Sequence, residues 1–455
     1  MPRLRPSLVW SGLLLGVVAC AGGERAPARR SVVLIVVDTL RRDHLSCYGY
    51  PRATSPNVDR LAAAGTRFDQ AVSQAPWTTP SIGSLLTSRY PTEIGIRTER
   101  SALSDELSLL PELLRDAGWR TGAVVSHTFC SSQWNFDQGF ESFDESNVLG
   151  HQAVTSPGVT ARALEFVDAA AGEPFFLWAH YFDPHFAYVE HPEYPFGGRG
   201  DYDGPIASGM PFAELFPMRK DLGADDADEI RRLYDSEVAY TDRAIGDLLD
   251  GLRERGLFDD ALIVFTADHG EEFFDHGGLG HARQVYQELV HVPLIVKLPS
   301  SFAAGASRAA AVETPVPLLD VFPTVLDVAG VAVPQGIEGR SLLAADGSWR
   351  PVARPFFSET SRAGGVRAIV DGGWKLIEKA RDGTVELYRL APDSRDAEDL
   401  AASEPQRAAE LGAALQHWTA EVGERAPGSV ELDLDAAELE RLRSLGYAGA
   451  DDGDS

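Results

Sequence analysis

Cysteine is scarce: the 455-residue chain has 3, and only Cys47 and Cys130 lie outside its N-terminal segment. So few, so far apart, build no disulfide framework. A single bridge in an oxidising compartment and a pair of buried thiols both stay open. Positive charge is also short. Lys and Arg number 41 against 68 Asp and Glu, a net charge of -27. Such a chain repels phosphate backbones, which excludes nucleic acid as a partner. It does not exclude small anions, because a bound cation reverses the local field. Internal repeats are absent. The composition that remains, 44% hydrophobic and 24% charged, is ordinary for a globular enzyme. The length suits a large α/β domain, with or without a smaller appendage.

The N-terminus reads as an export signal. Arg3 and Arg5 precede an apolar stretch, residues 8–18, that is shorter than the ~20 residues of a membrane-spanning helix. Val17-Val18-Ala19-Cys20 follows and resembles a bacterial lipobox. The expectation is a lipoprotein signal over residues 1–20, cut before a lipidated Cys20, with residues 21–30 as a tether. An ordinary cleaved signal peptide is the alternative. The expected location is the bacterial cell envelope, lipid-anchored to the membrane through Cys20 and facing the periplasm or the outer surface.

Beyond the tether, residues 31–37 are a continuous β-branched run ending in Asp38, the pattern of a strand buried on both faces in a parallel sheet. Helices are expected over 55–64, 80–87 and 107–117, each placed by Pro near its start or Gly past its end. Strands are expected over 121–126, 175–181, 261–266 and 292–298. A long amphipathic helix through residues 230–252 ends at Gly256. Residues 195–222, rich in Gly, Pro and aromatics, read as a surface excursion. Strands alternating with helices argue for an α/β fold with a doubly wound, mostly parallel sheet over residues 31–345. Short strand-like runs and a helix near 405–422 argue for a small C-terminal α+β subdomain over 346–455, with an acidic, disordered end.

Asp38 ends one buried strand, and Asp268-His269 ends another. Ligands of doubly wound sheets bind at those carboxyl ends. Singly, an Asp there is an ordinary turn or capping residue. Together, carboxylates and an imidazole suit a divalent metal.

The stretch from Val37-Asp38-Thr39-Leu40-Arg41 through Gly49-Tyr50 resembles the opening signature of the sulfatases, in the alkaline phosphatase superfamily. Residues 75–91, around Thr78-Thr79-Pro80-Ser81-Ile82, resemble their central signature. Further segments follow in the family's order: 175–185, 267–271, 292–296, 319–325 and 336–342. The resemblance spans roughly residues 32–400. It implies an alkaline-phosphatase-like fold and a metal site at Asp38, Thr78, Asp268 and His269. It also implies catalytic or anion-binding roles for His185 and His281, and substrate contacts from Arg283 and His180. His276 and Asp183 are further candidates. His127, His151 and His191 read as hydrogen-bonded loop residues. Glu271 or Glu272 can orient His269, and Trp77 reads as packing.

The departures shape the chemistry. A sulfatase carries Cys or Ser, oxidised to formylglycine, where this chain has Thr78. Ile82 stands in place of an Arg, and Thr39 in place of a second metal-binding Asp. Threonine bears a methyl on Cβ and cannot become that aldehyde. A metal-activated Thr78 at a helix N-terminus can instead attack phosphorus. The expected activity is hydrolysis of a small anionic ester, a phosphodiester or phosphonate, or phosphoryl-type transfer as in the phosphoglycerol and phosphoethanolamine transferases that this arrangement resembles. The substrate can be a glycan or a lipid head group. A true sulfuric-ester hydrolase acting on sulfated glycans or aryl sulfates is one alternative; an inactive glycan-binding member is another. The expected cofactor is one divalent ion, Ca2+, Mg2+ or Mn2+, with Zn2+ compatible with His269. His185 and His281 leave a second metal open.

Overall fold

The β-branched run Val32–Val37 is fully buried, and burial on both faces requires parallel neighbours covered by helices. In the computed structural model of the chain, which describes residues 30–148, 154–197, 200–302, 310–390, 395–425, 430–436 and 438, it is strand β1 of a nine-stranded sheet. The others are β2 (Thr66–Val72), β3 (Arg120–Val124), β4 (Ser142–Asp144), β5 (Phe175–Tyr181), β6 (Leu262–Ala267), β7 (His291–Lys297), β8 (Ala311–Val312) and β9 (Val316–Pro317). Their order is β8-β2-β7-β6-β1-β5-β3-β4, and β9 also pairs with β2. Every pairing is parallel except those of β7, which runs antiparallel to β6 and β2. Cys20, the segment ahead of Arg30, His151 and the acidic terminus lie outside the described residues. Among those described, no helix is long and apolar enough to cross a membrane. Cys47 and Cys130 are free thiols.

Register positions the site. Val37 of β1 stands level with Tyr181 of β5 and Ala267 of β6. Asp38 and Asp268 therefore leave adjacent parallel strands at the same height, at the carboxyl edge.

The helices around this sheet are α1 (Pro56–Ala64), α2 (Thr78–Thr87), α3 (Leu110–Asp116), α4 (Ser156–Ala169), α5 (Phe212–Met218) and α6 (Ala224–Glu254). Helices α1 and α4 both pack on α6, and α4 lies on β5. Three helix starts lie two or more residues from the sequence expectation. Helix α2 begins at Thr78, ahead of Pro80, so Thr78 lies in the first turn and does not precede the helix. Helix α3 begins at Leu110 because Glu112 Oε2 accepts from the Leu109 amide at 2.9 Å and caps it there. Helix α6 starts at Ala224, where Asp225 and Asp226 suit the positive end of the helix dipole.

The C-terminal subdomain is an antiparallel sheet of β10 (Phe356–Thr360), β11 (Val366–Asp371), β12 (Trp374–Lys379) and β13 (Thr384–Arg389), in chain order. A later helix (Pro405–Glu424) lies across it, with Trp418 stacked on Phe357 at 4.1 Å. The chain then returns to the larger domain, where Val430 pairs with Ala102.

His276 sits at the junction. It stacks on Tyr286 at 3.7 Å, meets Glu288 Oε1 through Nδ1 at 2.7 Å, and donates from Nε2 to the Asp396 carbonyl at 2.8 Å. Burial opposes its charge, but the hydrogen bond and charge of Glu288 prevail and raise its pKa to about 9. A raised folded-state pKa stabilises fully below the unfolded value of about 6.5, and that stabilisation is lost as pH rises through about 9. His276→Asn is thus expected to lower Tm clearly at pH 6 and far less at pH 10, which thermal scans at the two pH values would read.

Candidate active site

Asp38 and Asp268 are fully buried. Asp268 Oδ1 accepts from the amides of His269 (2.8 Å) and Thr39 (3.2 Å), and its Oδ2 has no partner. Both oxygens of Asp38 lack a hydrogen-bond partner. Burial, then the charges of Asp268 and Glu271, push the Asp38 carboxyl well above its usual pKa. Burial likewise raises Asp268, against the pull of His269. Two buried carboxylates with three of four oxygens unpartnered are costly unless a cation joins them.

His269 completes the set. Its Nδ1 lies 2.9 Å from the Gly270 carbonyl, which can only accept. The proton is therefore on Nδ1, and the Nε2 lone pair faces the carboxylates. Nε2 is 3.6 Å from Asp38 Oδ1 and 3.4 Å from Asp268 Oδ2. Ligand atoms of Asp38, Asp268 and His269 all lie within 4.8 Å of one another. These donors, oxygen-rich with one imidazole, fit a divalent metal ion. Among the described residues no second such cluster forms. Gly270 is obligatory beside it, since a Cβ there would meet the Glu288 carbonyl oxygen at 2.0 Å.

Thr78 opens α2 behind Trp77, an extended residue with no side-chain cap. The first-turn amides are therefore not met by a capping side chain, and the positive end of the helix is available to an anion. Thr78 Oγ1 lies 3.4 Å from His269 Nε2. Ser81 Oγ donates to the Asp268 carbonyl at 2.6 Å, which ties α2 to the end of β6.

The remaining predicted residues divide. His281 stands 4.7 Å from His269 and 5.0 Å from His185, ring to ring. Burial above all, with the Arg362 charge, holds its pKa well below the usual value, so it is neutral. His185 donates from Nδ1 to the Phe186 carbonyl at 3.1 Å. His180 is set against Asp38, 3.7 Å from its Oδ2, and burial lowers its pKa to about 3. Arg283 lies farther out, over the Phe216 ring at 5.0 Å, in a cavity of about 380 Å³ shared with His281, Arg219, Lys220 and Lys379. Asp183 is structural: it receives the amides of Thr155 and Ser156 at the start of α4. His127 and His191 are hydrogen-bonded as expected, His127 Nδ1 to the Phe129 amide and His191 Nε2 to Glu237.

Glu271 corrects an expectation. It does not orient His269, whose Nδ1 is taken by Gly270. Glu271 Oε1 lies 2.9 Å from His281 Nδ1, and Oε2 accepts from Tyr188 at 3.0 Å. Burial raises this carboxyl to about 8. The Gly277 turn and the strand ends around it bring residue 281 back over residue 271, which adjacency in the chain does not suggest. Glu272 instead caps the amides of His276 and Gly278.

Other contributors carry no sequence signal. Arg362, from the C-terminal subdomain, stacks over Trp77 at 4.9 Å, and its charge is felt at His281. Phe186 stacks on His281 at 5.2 Å and on Phe212 of α5 at 4.2 Å. The excursion thus folds back as an aromatic cover over the site.

The profile of the sulfatase family matches residues 30–331, and that of the N-sulphoglucosamine sulphohydrolase C-terminal region matches residues 274–421. The chain is 23% identical to the N-acetylglucosamine-6-O-sulfatase of Bacteroides thetaiotaomicron, over 85% of each chain. Its fold superposes with a TM-score of 0.72 on a structure solved with its substrate D-glucosamine-2-N,6-O-disulfate, at 21% identity, covering 88% of this chain and 99% of that one. It superposes with a TM-score of 0.68 on a phosphonate monoester hydrolase from Silicibacter pomeroyi, at 23% identity, covering 88% and 96%.

Proposed function

The chain belongs to the sulfatase family of ester hydrolases, and from that premise we propose that it cleaves a small anionic ester with Thr78 as nucleophile, by phosphoryl chemistry on a phosphodiester or phosphonate. The observation that carries this reading is the hydroxyl of Thr78 in the first turn of α2, 3.4 Å from Nε2 of His269 in the Asp38–Asp268–His269 cluster.

Asp38, Asp268 and His269 would hold the divalent ion, which would lower the hydroxyl pKa and polarise the ester. Ca2+, Mg2+ and Mn2+ suit the carboxylates, and His269 admits Zn2+. The amides at the start of α2 receive the anionic oxygens of the substrate. Neutral His281, held at Nδ1 by Glu271, would take a proton through Nε2 and then give it to the leaving group. The ester formed on Thr78 is then released to water, or to an acceptor alcohol if the enzyme is a transferase. Arg283, with Arg219, Lys220 and Lys379 at the mouth, draws an anion into a chain that is otherwise strongly negative.

Sulfuric-ester hydrolysis is the second reading, and the sulfatase names of the relatives favour it. A threonine sulfate has no aldehyde exit, so that route would need direct attack of water on sulfur. Turnover of nitrophenyl sulfate, phosphate monoester, phosphodiester and phosphonate, with each metal in turn, tests the choice. Sulfate as the preferred ester would overturn the phosphoryl reading.

Two substitutions test the proton-handling pair. His281→Ala is expected to lower kcat by about 10²–10⁴-fold. Glu271→Gln, which keeps the shape and weakens the hold on His281, is expected to cost about 10–100-fold with little change in KM. Steady-state kinetics on the preferred ester, beside an unchanged Tm, would check both.

A further inference from the structure

We propose that Arg42 and the cavity it lines form a second binding site, separate from the ester-cleaving site, for a small tetrahedral oxyanion of the phosphate or sulfate type. The inference is independent of the function proposed above.

Two adjacent arginines follow the Asp38 loop and fare differently. Arg41 is fully engaged: it pairs with Asp43 at 2.9 Å and Asp275 at 2.7 Å, and donates to the Glu271 carbonyl at 3.0 Å. Arg42 is 9% exposed, and no described carboxylate stands within ion-pair distance of it. Its buried Nε has no acceptor. Its recorded compensation is the face of Tyr48, 4.9 Å away, a ring that Arg67 also overlies at 5.3 Å.

The neighbouring acids are already committed. Asp43 and Asp275 serve Arg41, Asp69 holds Arg67 at 2.6 Å, and Glu288 holds His276 at 2.7 Å. His291 adds no charge: burial and the Arg42 charge lower its pKa to about 3, and its Nε2 donates to the Asp69 carbonyl. Burial likewise depresses the Arg42 pKa. Of Arg41, Arg42, Arg67 and His276, only Arg42 has no carboxylate within ion-pair distance; Asp43 and Asp69 act on it from farther off, and its buried Nε is left for an anion to meet.

Arg42 faces a cavity of about 450 Å³ lined also by Arg41, Arg395, Tyr48 and His291, and by the carboxylates Asp43, Asp275 and Glu288, which are held by Arg41 and His276. Arg395 comes from the C-terminal subdomain and is largely exposed, 3.9 Å from Asp43. A buried guanidinium with a second at the mouth can supply forked, charge-assisted hydrogen bonds to an oxyanion. None of Asp38, Thr78, Asp268, His269 or His281 lines this cavity. Arg41 is the shared wall: it bonds the Glu271 backbone on one side and Asp43 and Asp275 on the other.

The test is thermal unfolding of the whole chain in low-salt buffer, with sodium phosphate, sulfate or acetate at equal ionic strength. Wild type, Arg42→Gln and Arg42→Lys are compared, and the readout is the difference between wild type and variant, which cancels binding at the ester site. Without oxyanion, Arg42→Gln is expected to be as stable as wild type, because it removes a buried charge that no ion pair holds. Phosphate or sulfate at saturation is expected to raise the wild-type Tm by about 2–5 °C more than that of Arg42→Gln. Arg42→Lys, which keeps the charge without the fork, is expected to retain part of that rise. The larger of the phosphate and sulfate effects identifies the preferred ion. Equal rises in wild type and Arg42→Gln would overturn the site, as would a loss of stability in Arg42→Gln that is the same in every buffer. A rise with acetate as large as with sulfate would overturn the tetrahedral assignment.

Discussion

Thr78→Val will abolish turnover, by about 10³-fold or more, while leaving the fold in place. Valine keeps the β-branched shape of a side chain that is fully buried at the start of α2, so its packing against the end of β6 survives and Tm should hold. What disappears is the hydroxyl beside His269 Nε2. Thr78→Ser should retain a substantial part of the rate, since the oxygen remains. A variant that still turned over at a tenth of the wild-type rate would show that water attacks directly and that Thr78 only packs. The same residue offers a chemical record of the reaction. In a His281→Ala background, release of the intermediate is slowed, and intact-mass analysis is expected to show one added phosphonyl group after mixing with a phosphonate monoester, or one phosphoryl group still carrying its second ester substituent after mixing with a phosphodiester, absent from the Thr78→Val, His281→Ala double variant.

Metal removal should produce the second large effect, and it has a readout beyond activity. Asp38 and Asp268 are buried together with Asp38 Oδ1, Asp38 Oδ2 and Asp268 Oδ2 unpartnered, so each raises the cost of ionising the other. Chelation is therefore expected to lower Tm as well as to cut kcat by about 10³-fold, the scale on which loss of electrostatic stabilisation at one site is felt. Adding back Ca2+, Mg2+, Mn2+ or Zn2+ should restore both, in a concentration-dependent way. Asp38→Asn removes one of the repelling charges. It should be at least as stable as the metal-free wild type and should show little rise in Tm with metal. If chelation left Tm unchanged while Asp38→Asn lowered it, the two aspartates would be serving as structural acceptors and the metal assignment would fail.

How much of this was legible beforehand depended on whether the signal was local. Strand β1 announces itself because burial on both faces demands an uninterrupted β-branched run, and the abrupt change to Asp38 marks the edge. The same logic exposes Asp268-His269 after β6. Strand β2 escaped notice because it alternates Arg67 and Asp69 with Phe68 and Gln70, a half-buried pattern weaker than its neighbours'. Proline is tolerated anywhere in the first turn, so Pro80 marks the first turn of α2 and not its first residue. The partnership of Glu271 with His281, the place of Arg362 over Trp77 and the fold of α5 onto Phe186 are tertiary facts. Each depends on where a loop closes, and no periodicity in the chain encodes that. Of the residues carried by the family resemblance, Asp38, Thr78, Asp268, His269, His185 and His281 lie together at the carboxyl edge, with His180 set against Asp38; Arg283 lies in the outer cavity, His276 at the junction with the C-terminal subdomain, and Asp183 at the start of α4.

The level register of β1 and β6 has a consequence for how this gene can change length. Side chains alternate between faces along a strand, so one codon gained or lost within residues 32–38 or 262–268 would shift a carboxylate by one rise and turn it to the opposite face. Insertions within residues 200–210 meet no such constraint, because that segment lies outside every strand and precedes α5. Random single-codon insertion libraries scored for activity should therefore fall silent at the ends of β1 and β6 and accept added residues within 200–210.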